Sequence, residues 1–225
     1  MARRRNQKKE TIVDVVEARD KAQNFFEENQ NLVLGILTGI VLLIGGYFAY
    51  NTLVMAPKEN EAASEMRQAQ VQFERDSFAL ALTNPGGGNL GFLDIASIYG
   101  GTSAGNSANY YAGISYLNLG DFEGAVAHLE DFSAPDEVFS IMKYGALGDA
   151  YSELGQNDKA LKSYKSAVNA GSNEALTVIY LKRLALFLEK EGNTGEARKY
   201  FQQIKDDYPN TPTGKEVDKY LARLK

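Results

Sequence analysis

The chain has 225 residues, 44% hydrophobic and 24% charged, with five prolines and a formal net charge of −5, a composition that suits one folded domain plus an appendage rather than a disordered polymer. It has no cysteine, which excludes disulfides, thiolate metal sites, cysteine nucleophiles and the lipid-modified cysteine of bacterial lipoproteins. Residues 1–30 hold seven Lys/Arg against six Asp/Glu, which leaves 17 against 23 in the remainder, and so acidic a main domain lacks the basic surface that nucleic acid requires.

The first segment, 1–30, is basic at its head, with five cations in "MARRRNQKK", and helical and amphipathic in "TIVDVVEARDKAQNFFEENQ". The second, "NLVLGILTGIVLLIGGYFAY" over 31–50, carries no charge. Its length matches the roughly 20 apolar residues that cross a bilayer. A core helix of a soluble domain would place polar residues at helical period, whereas here only Thr38 and the terminal tyrosines interrupt the run. Tyr47 and Tyr50 sit where an interfacial aromatic belt would lie. A cleaved signal has a shorter apolar stretch and a small-residue cut site. The one match here, Val54-Met55-Ala56, is succeeded by Pro57. An uncleaved single span is therefore expected. Cations are dense before the span and sparse after it, which places the amino terminus in the cytoplasm and the residues from about 51 outward, in the periplasm of a diderm bacterium. Gly35 and Gly39 form a GxxxG match that would pack this span on a second copy, as a homodimer, or on another membrane protein.

Residues 57–106 read as a membrane-proximal helix starting after Pro57, then a Gly-rich connector. Ala62, Met66, Ala69, Phe73 and Leu80 make a narrow stripe, either a coiled-coil seam or a face packed on the first repeat. "TNPGGGNLG" is expected to be a loop and "GGTSAGN" a turn. The glycine-rich run lacks the strand and the GK[ST] ending of a phosphate-binding loop.

Self-similarity dominates residues 107–225. Gly113, Gly148 and Ala185 recur, then Tyr116, Tyr151 and Leu188, then Gly120, Gly155 and Gly192, then Ala125, Ala160 and Ala197. The small residue lets two helices approach, and the glycine supplies a left-handed helix end. Asp121 and Asn193 are placed to cap the second helices, with Glu196 completing a capping box. Leu129, Tyr164 and Phe201 recur on those second helices. Thr213 and Glu216 give another capping-box pattern, ahead of an apolar face of Val217, Tyr220, Leu221 and Leu224. On these positions the chain is identified as a tetratricopeptide-repeat protein over about 107–212. The expected fold is all-α: a single N-terminal transmembrane helix, then a tetratricopeptide-repeat α-solenoid of about three repeats with a C-terminal capping helix over 107–225.

No catalytic constellation emerges. His128 is the only histidine, and one imidazole makes neither a zinc site nor a triad. No enzyme, metal or cofactor is expected. Function is left to binding on the concave groove that the first helices of the repeats line. Tyr110, Asn118, Asp149, Glu153, Lys182 and Glu189 are expected to face it. A carboxylate clamp of the kind some such domains carry is not expected, because the matching positions hold Tyr110, Ile114, Gly145 and Asp149.

The anchor, "AGNSANYYAGISYLNLGDFEGAVAHL" and "YFQQIKDDYPNTPTGKEVDKYLARL" together resemble the YfgM-like ancillary subunits of the secretion translocon. That resemblance implies Sec translocon subunits and a membrane-anchored periplasmic chaperone as protein partners, in the bacterial inner membrane, aiding export of newly translocated proteins. The alternatives are a self-assembling envelope scaffold and an adaptor for outer-membrane or cell-wall assembly.

Overall fold

The computed structural model describes residues 19–21 and 23–224; the basic head through residue 18 lies outside them. The chain divides at Pro57 into two compact units.

In the first unit α1 runs Gln30–Tyr50 and buries none of its residues. At 1.5 Å per residue its 21 residues extend about 31 Å, the thickness of a hydrocarbon core. This helix is long and apolar enough to cross a membrane. Leu43 is 76% exposed and Val41 68%, an apolar surface of the kind that marks contact with a membrane or another protein. A π-helical turn, Asn51–Met55, comes next. It ends two residues before Pro57 and includes Leu53, whose carbonyl the Pro57 ring would crowd and to which the Pro57 nitrogen cannot donate, so a local widening of the helix relieves both problems.

Helix α2 spans Ala56–Glu74, beginning before rather than after Pro57, and all but its first two residues belong to the second unit. Ala62, Met66 and Ala69 are buried and Phe73 packs beside them. They face Ala81, Leu82, Phe92, Ile95 and the first repeat's Ala104, Ala108 and Ala112, so the stripe is an intradomain packing face. Leu80 does not belong to it. The chain reverses at Asp76, which has φ 56°, and Leu80 falls on a separate short helix, α3 Phe78–Thr83, where it is 49% exposed.

The glycine-rich stretch is fastened to α2. Gly86, Gly87 and Gly88 all have positive φ, a run that side-chain-bearing residues resist. Gln68 and Gln72 donate to the Pro85 carbonyl at 3.3 and 3.0 Å, and Glu65 accepts from the Leu90 N–H at 3.1 Å. A second short helix, α4 Phe92–Ile98, precedes α5 Ser103–Leu119. "GGTSAGN" is thus a turn only as far as Thr102, whose hydroxyl caps α5 by accepting from Gly105 N–H. Glu59 on α2 accepts from the Ser103 and Ala104 N–H groups at 2.7 and 3.0 Å, placing a carboxylate on donors that a helix start leaves unpaired.

The repeats are helical hairpins: α5 with α6 Phe122–Asp131, α7 Glu137–Glu153 with α8 Asn157–Asn169, and α9 Glu174–Lys190 with α10 Thr194–Asp207. Helix α11, Pro212–Arg223, closes the array. Gly120, Gly155 and Gly192 occupy the left-handed region at φ 79, 66 and 78°. A Cβ on Gly113 would lie 2.6 Å from Leu129, and one on Gly148 2.5 Å from the Tyr164 ring. The small and large positions of the repeat are therefore partners across the hairpin.

Two capping details differ from expectation. Asn193 accepts from the Glu196 N–H at 3.3 Å, but the Glu196 carboxylate turns to Lys199 and Lys165 rather than closing the box. Helix α11 is capped by Thr211, not Thr213. Pro212 explains the earlier start, since its fixed φ suits the first helical position and needs no N–H donor.

Both kinds of contact can be tested by stability. Glu59→Gln weakens charge-assisted bonds at the start of α5 and is expected to lower unfolding free energy by about 1–2 kcal/mol in urea denaturation. Gly148→Ala overpacks the second hairpin against Tyr164 and is expected to cost about 1–3 kcal/mol in the same assay.

Candidate binding groove

Helices α5, α7 and α9 supply the first helix of each hairpin. The six groove residues expected from sequence do not form one surface.

Tyr110 is 7% exposed and packs in the core against Phe132 and Phe139. Its hydroxyl approaches Met142 Sδ at 3.9 Å, and burial pushes its pKa well up. Most of its ring is therefore withheld from any ligand. Asn118 is exposed on the last turn of α5, where its side chain donates to the Ile114 carbonyl at 2.8 Å.

Asp149 and Glu153 stand one turn apart on α7. Asp149 accepts from the Tyr164 hydroxyl at 2.7 Å and is ion-paired to the Arg183 guanidinium of α9. Burial pushes the Asp149 carboxyl up; Arg183 and the Tyr164 hydroxyl oppose this, and Glu153 adds to it. Glu153 itself is exposed. Arg183 also lies 5.3 Å from the centroid of the Tyr180 ring. That ring covers Gly145 so closely that a Cβ there would overlap it. The centre of the α7/α9 surface is thus a knit of Gly145, Asp149, Tyr180 and Arg183. The Arg183 side chain remains 46% exposed, which leaves the guanidinium reachable at the surface of this knit.

Lys182 and Glu189 are drawn to α11 instead. The Lys182 ammonium lies 5.3 Å from the Tyr220 ring, and Glu189 pairs with Arg223 at 2.5 Å. Tyr220 also stacks on Phe201 at 5.0 Å. The capping helix therefore engages both charged residues at the far end of the surface.

Sequence reasoning misses Arg183, Tyr180 and Arg223, although a signal exists for two of them. Asp149 to Arg183 and Glu189 to Arg223 are each separated by 34 positions, as is the Asn157 to Glu191 hydrogen bond. Opposite charges one repeat apart are candidates for bonds between neighbouring repeats.

His128, on α6, has Nδ1 2.9 Å from Asn109 Oδ1, and its ring stacks on Tyr116 at 5.6 Å. Burial lowers its pKa against the opposing field of Asp131. Among the described residues no group of three or more His, Asp or Glu side chains could hold a metal ion. Because the folded-state pKa lies below the ordinary 6.5, the folded protein favours neutral His128. Its stabilising contribution is complete above the ordinary value and is lost as pH falls from there through the lowered folded value. The expected result is that urea stability declines from about pH 7.5 to about pH 5 more steeply in the native chain than in His128→Gln.

The comparison with known families agrees with the hairpins. A model described as YpiA-like, C-terminal tetratricopeptide repeats matches residues 145–210, and one described as tetratricopeptide repeat matches 107–134. No curated protein matches the chain. With its glycine-terminated hairpins and interlocked small and large positions, the second unit carries tetratricopeptide repeats, modules whose stacked helices offer extended surfaces to other proteins.

Proposed function

We propose that this chain is a membrane-anchored, non-enzymatic adaptor of the bacterial inner membrane, with its repeats in the periplasm, binding protein partners of the secretion apparatus. The observation that carries the adaptor reading is the α7/α9 surface. There the partly exposed guanidinium of Arg183, beside the covered Tyr180 ring, and the exposed carboxylate of Glu153 offer charges of both signs, an arrangement suited to a polar polypeptide and without the paired groups that bond-breaking chemistry uses. The location rests on the apolar α1 and on the cations preceding it, which favour a cytoplasmic amino terminus. The likeness of the anchor and repeats to YfgM-like translocon subunits favours the Sec channel and a membrane-anchored periplasmic chaperone as partners.

A second reading, a parallel self-assembled scaffold, is favoured by α1. A Cβ built on Gly35 or Gly39 meets nothing within 4 Å, so that face is open to a second span.

Photocrosslinking from native membranes separates the two. The probes belong at Leu37 in the span and at Glu153 rather than Asp149, whose carboxylate is already engaged. The adaptor reading expects translocon subunits at position 37 and a periplasmic chaperone at position 153. Self-crosslinks alone at 37, with no secretion component at either site, would replace it with the scaffold. Capture of cell-wall enzymes at 153 would redirect it to envelope assembly.

A further inference from the structure

A recess of about 360 Å³ lies between α7 and the helices α6 and α8 that wall it, away from the Asp149 network. Its floor is Tyr144, Leu147 and Tyr151 of α7, and its α8 wall presents Lys159, Lys162 and Ser166. Helix α8 carries three lysines against one aspartate, in a chain of net charge −5.

These cations are not equally occupied. Lys143 donates to the Glu130 and Phe132 carbonyls at the end of α6, and Lys165 lies 4.0 Å from Glu196. Lys159 sits 5.0 Å from the Tyr151 ring centroid, a contact that holds its ammonium at the mouth of the recess without neutralising it. Among the described residues neither Lys159 nor Lys162 has a carboxylate within ion-pair distance. Glu130, the acid on the facing wall, accepts from the Tyr151 hydroxyl at 2.5 Å. Two uncompensated cations therefore rim a cleft with an apolar floor on which Tyr144 remains 37% exposed.

We infer that this recess is a second docking surface, distinct from the groove, for an acidic polypeptide segment that sets carboxylates on Lys159 and Lys162 and an aromatic side chain against Tyr144. Charge complementarity selects the acidic partner. Enclosure between two helices selects a side chain over a flat anionic bilayer, which would meet Lys162 but leave the floor empty. Glu130 on the wall disfavours a doubly charged phosphate more than a single carboxylate.

The test uses the full chain in phosphatidylcholine nanodiscs and a labelled peptide, acetyl-Glu-Glu-Phe-Asp-Glu-amide, read by fluorescence anisotropy. The acidic peptide is expected to bind and its Gln/Asn counterpart to fail. Lys159→Glu with Lys162→Glu is expected to weaken binding by about tenfold or more, and Lys→Arg at both positions to retain it. Tyr144→Ala is expected to weaken the Phe-containing peptide but not one with Gly in its place. Circular dichroism checks that the variants fold; Lys159→Gln with Lys162→Gln replaces the reversal if they do not. Unchanged affinity in the folded Glu or Gln double variant would overturn the inference, as would no binding at about millimolar peptide. Binding of soluble short-chain phosphatidylglycerol in place of the peptide would overturn it in favour of a lipid headgroup.

Discussion

The close approach of two helices within each hairpin is the constraint on which the second unit depends. Gly113 lies under Leu129 and Gly148 under Tyr164, with no room for a further carbon; Ala185 and Phe201 are buried in the same core. Because dispersion contacts fall away steeply with distance, a hairpin held this close gains contacts along its whole length. The first helices are thereby held side by side, and their remaining faces become the surface available for binding. A gap at one hairpin would tilt every residue that Asp149, Tyr180 and Arg183 need to meet.

Much of this is legible in the order of residues, for a physical reason. The small position, the large position and the helix-ending glycine are each demanded by backbone geometry, and geometry repeats where the structure repeats. Capping is legible at Asp121 and Asn193 for the same reason, and is misplaced at Thr213 because Pro212 shifts the helix start by two residues. The long apolar helix is legible from length and charge alone. The region before the repeats is harder. Glycines at 86–88 look like slack in a sequence, and only the bonds from Gln68, Gln72 and Glu65 show that the loop is tied down.

The groove is the least legible part. Helical spacing tells which face a residue shares but not how far a neighbour's side chain reaches over it. Spacing puts Tyr110 on the surface, yet it sinks beneath, because Phe132 and Phe139 offer its ring an apolar seat. Lys182 and Glu189, expected to await a ligand, instead meet Tyr220 and Arg223. In each case the competing partner lies in a neighbouring helix, beyond the window in which periodicity operates.

The Asp149–Arg183 pair joins the second repeat to the third, and Glu189–Arg223 joins the third to the capping helix. Repeat-equivalent positions here are 35 and 37 residues apart, while both pairs reach across 34. The Asp149–Arg183 bond therefore reaches a residue three positions earlier in the third repeat than the 37-residue repeat spacing alone would give. Both bonds tie one helical unit to the next. A ligand carboxylate that met Arg183 would compete with Asp149 for it, so docking on this surface would bear directly on the joint between the second and third repeats.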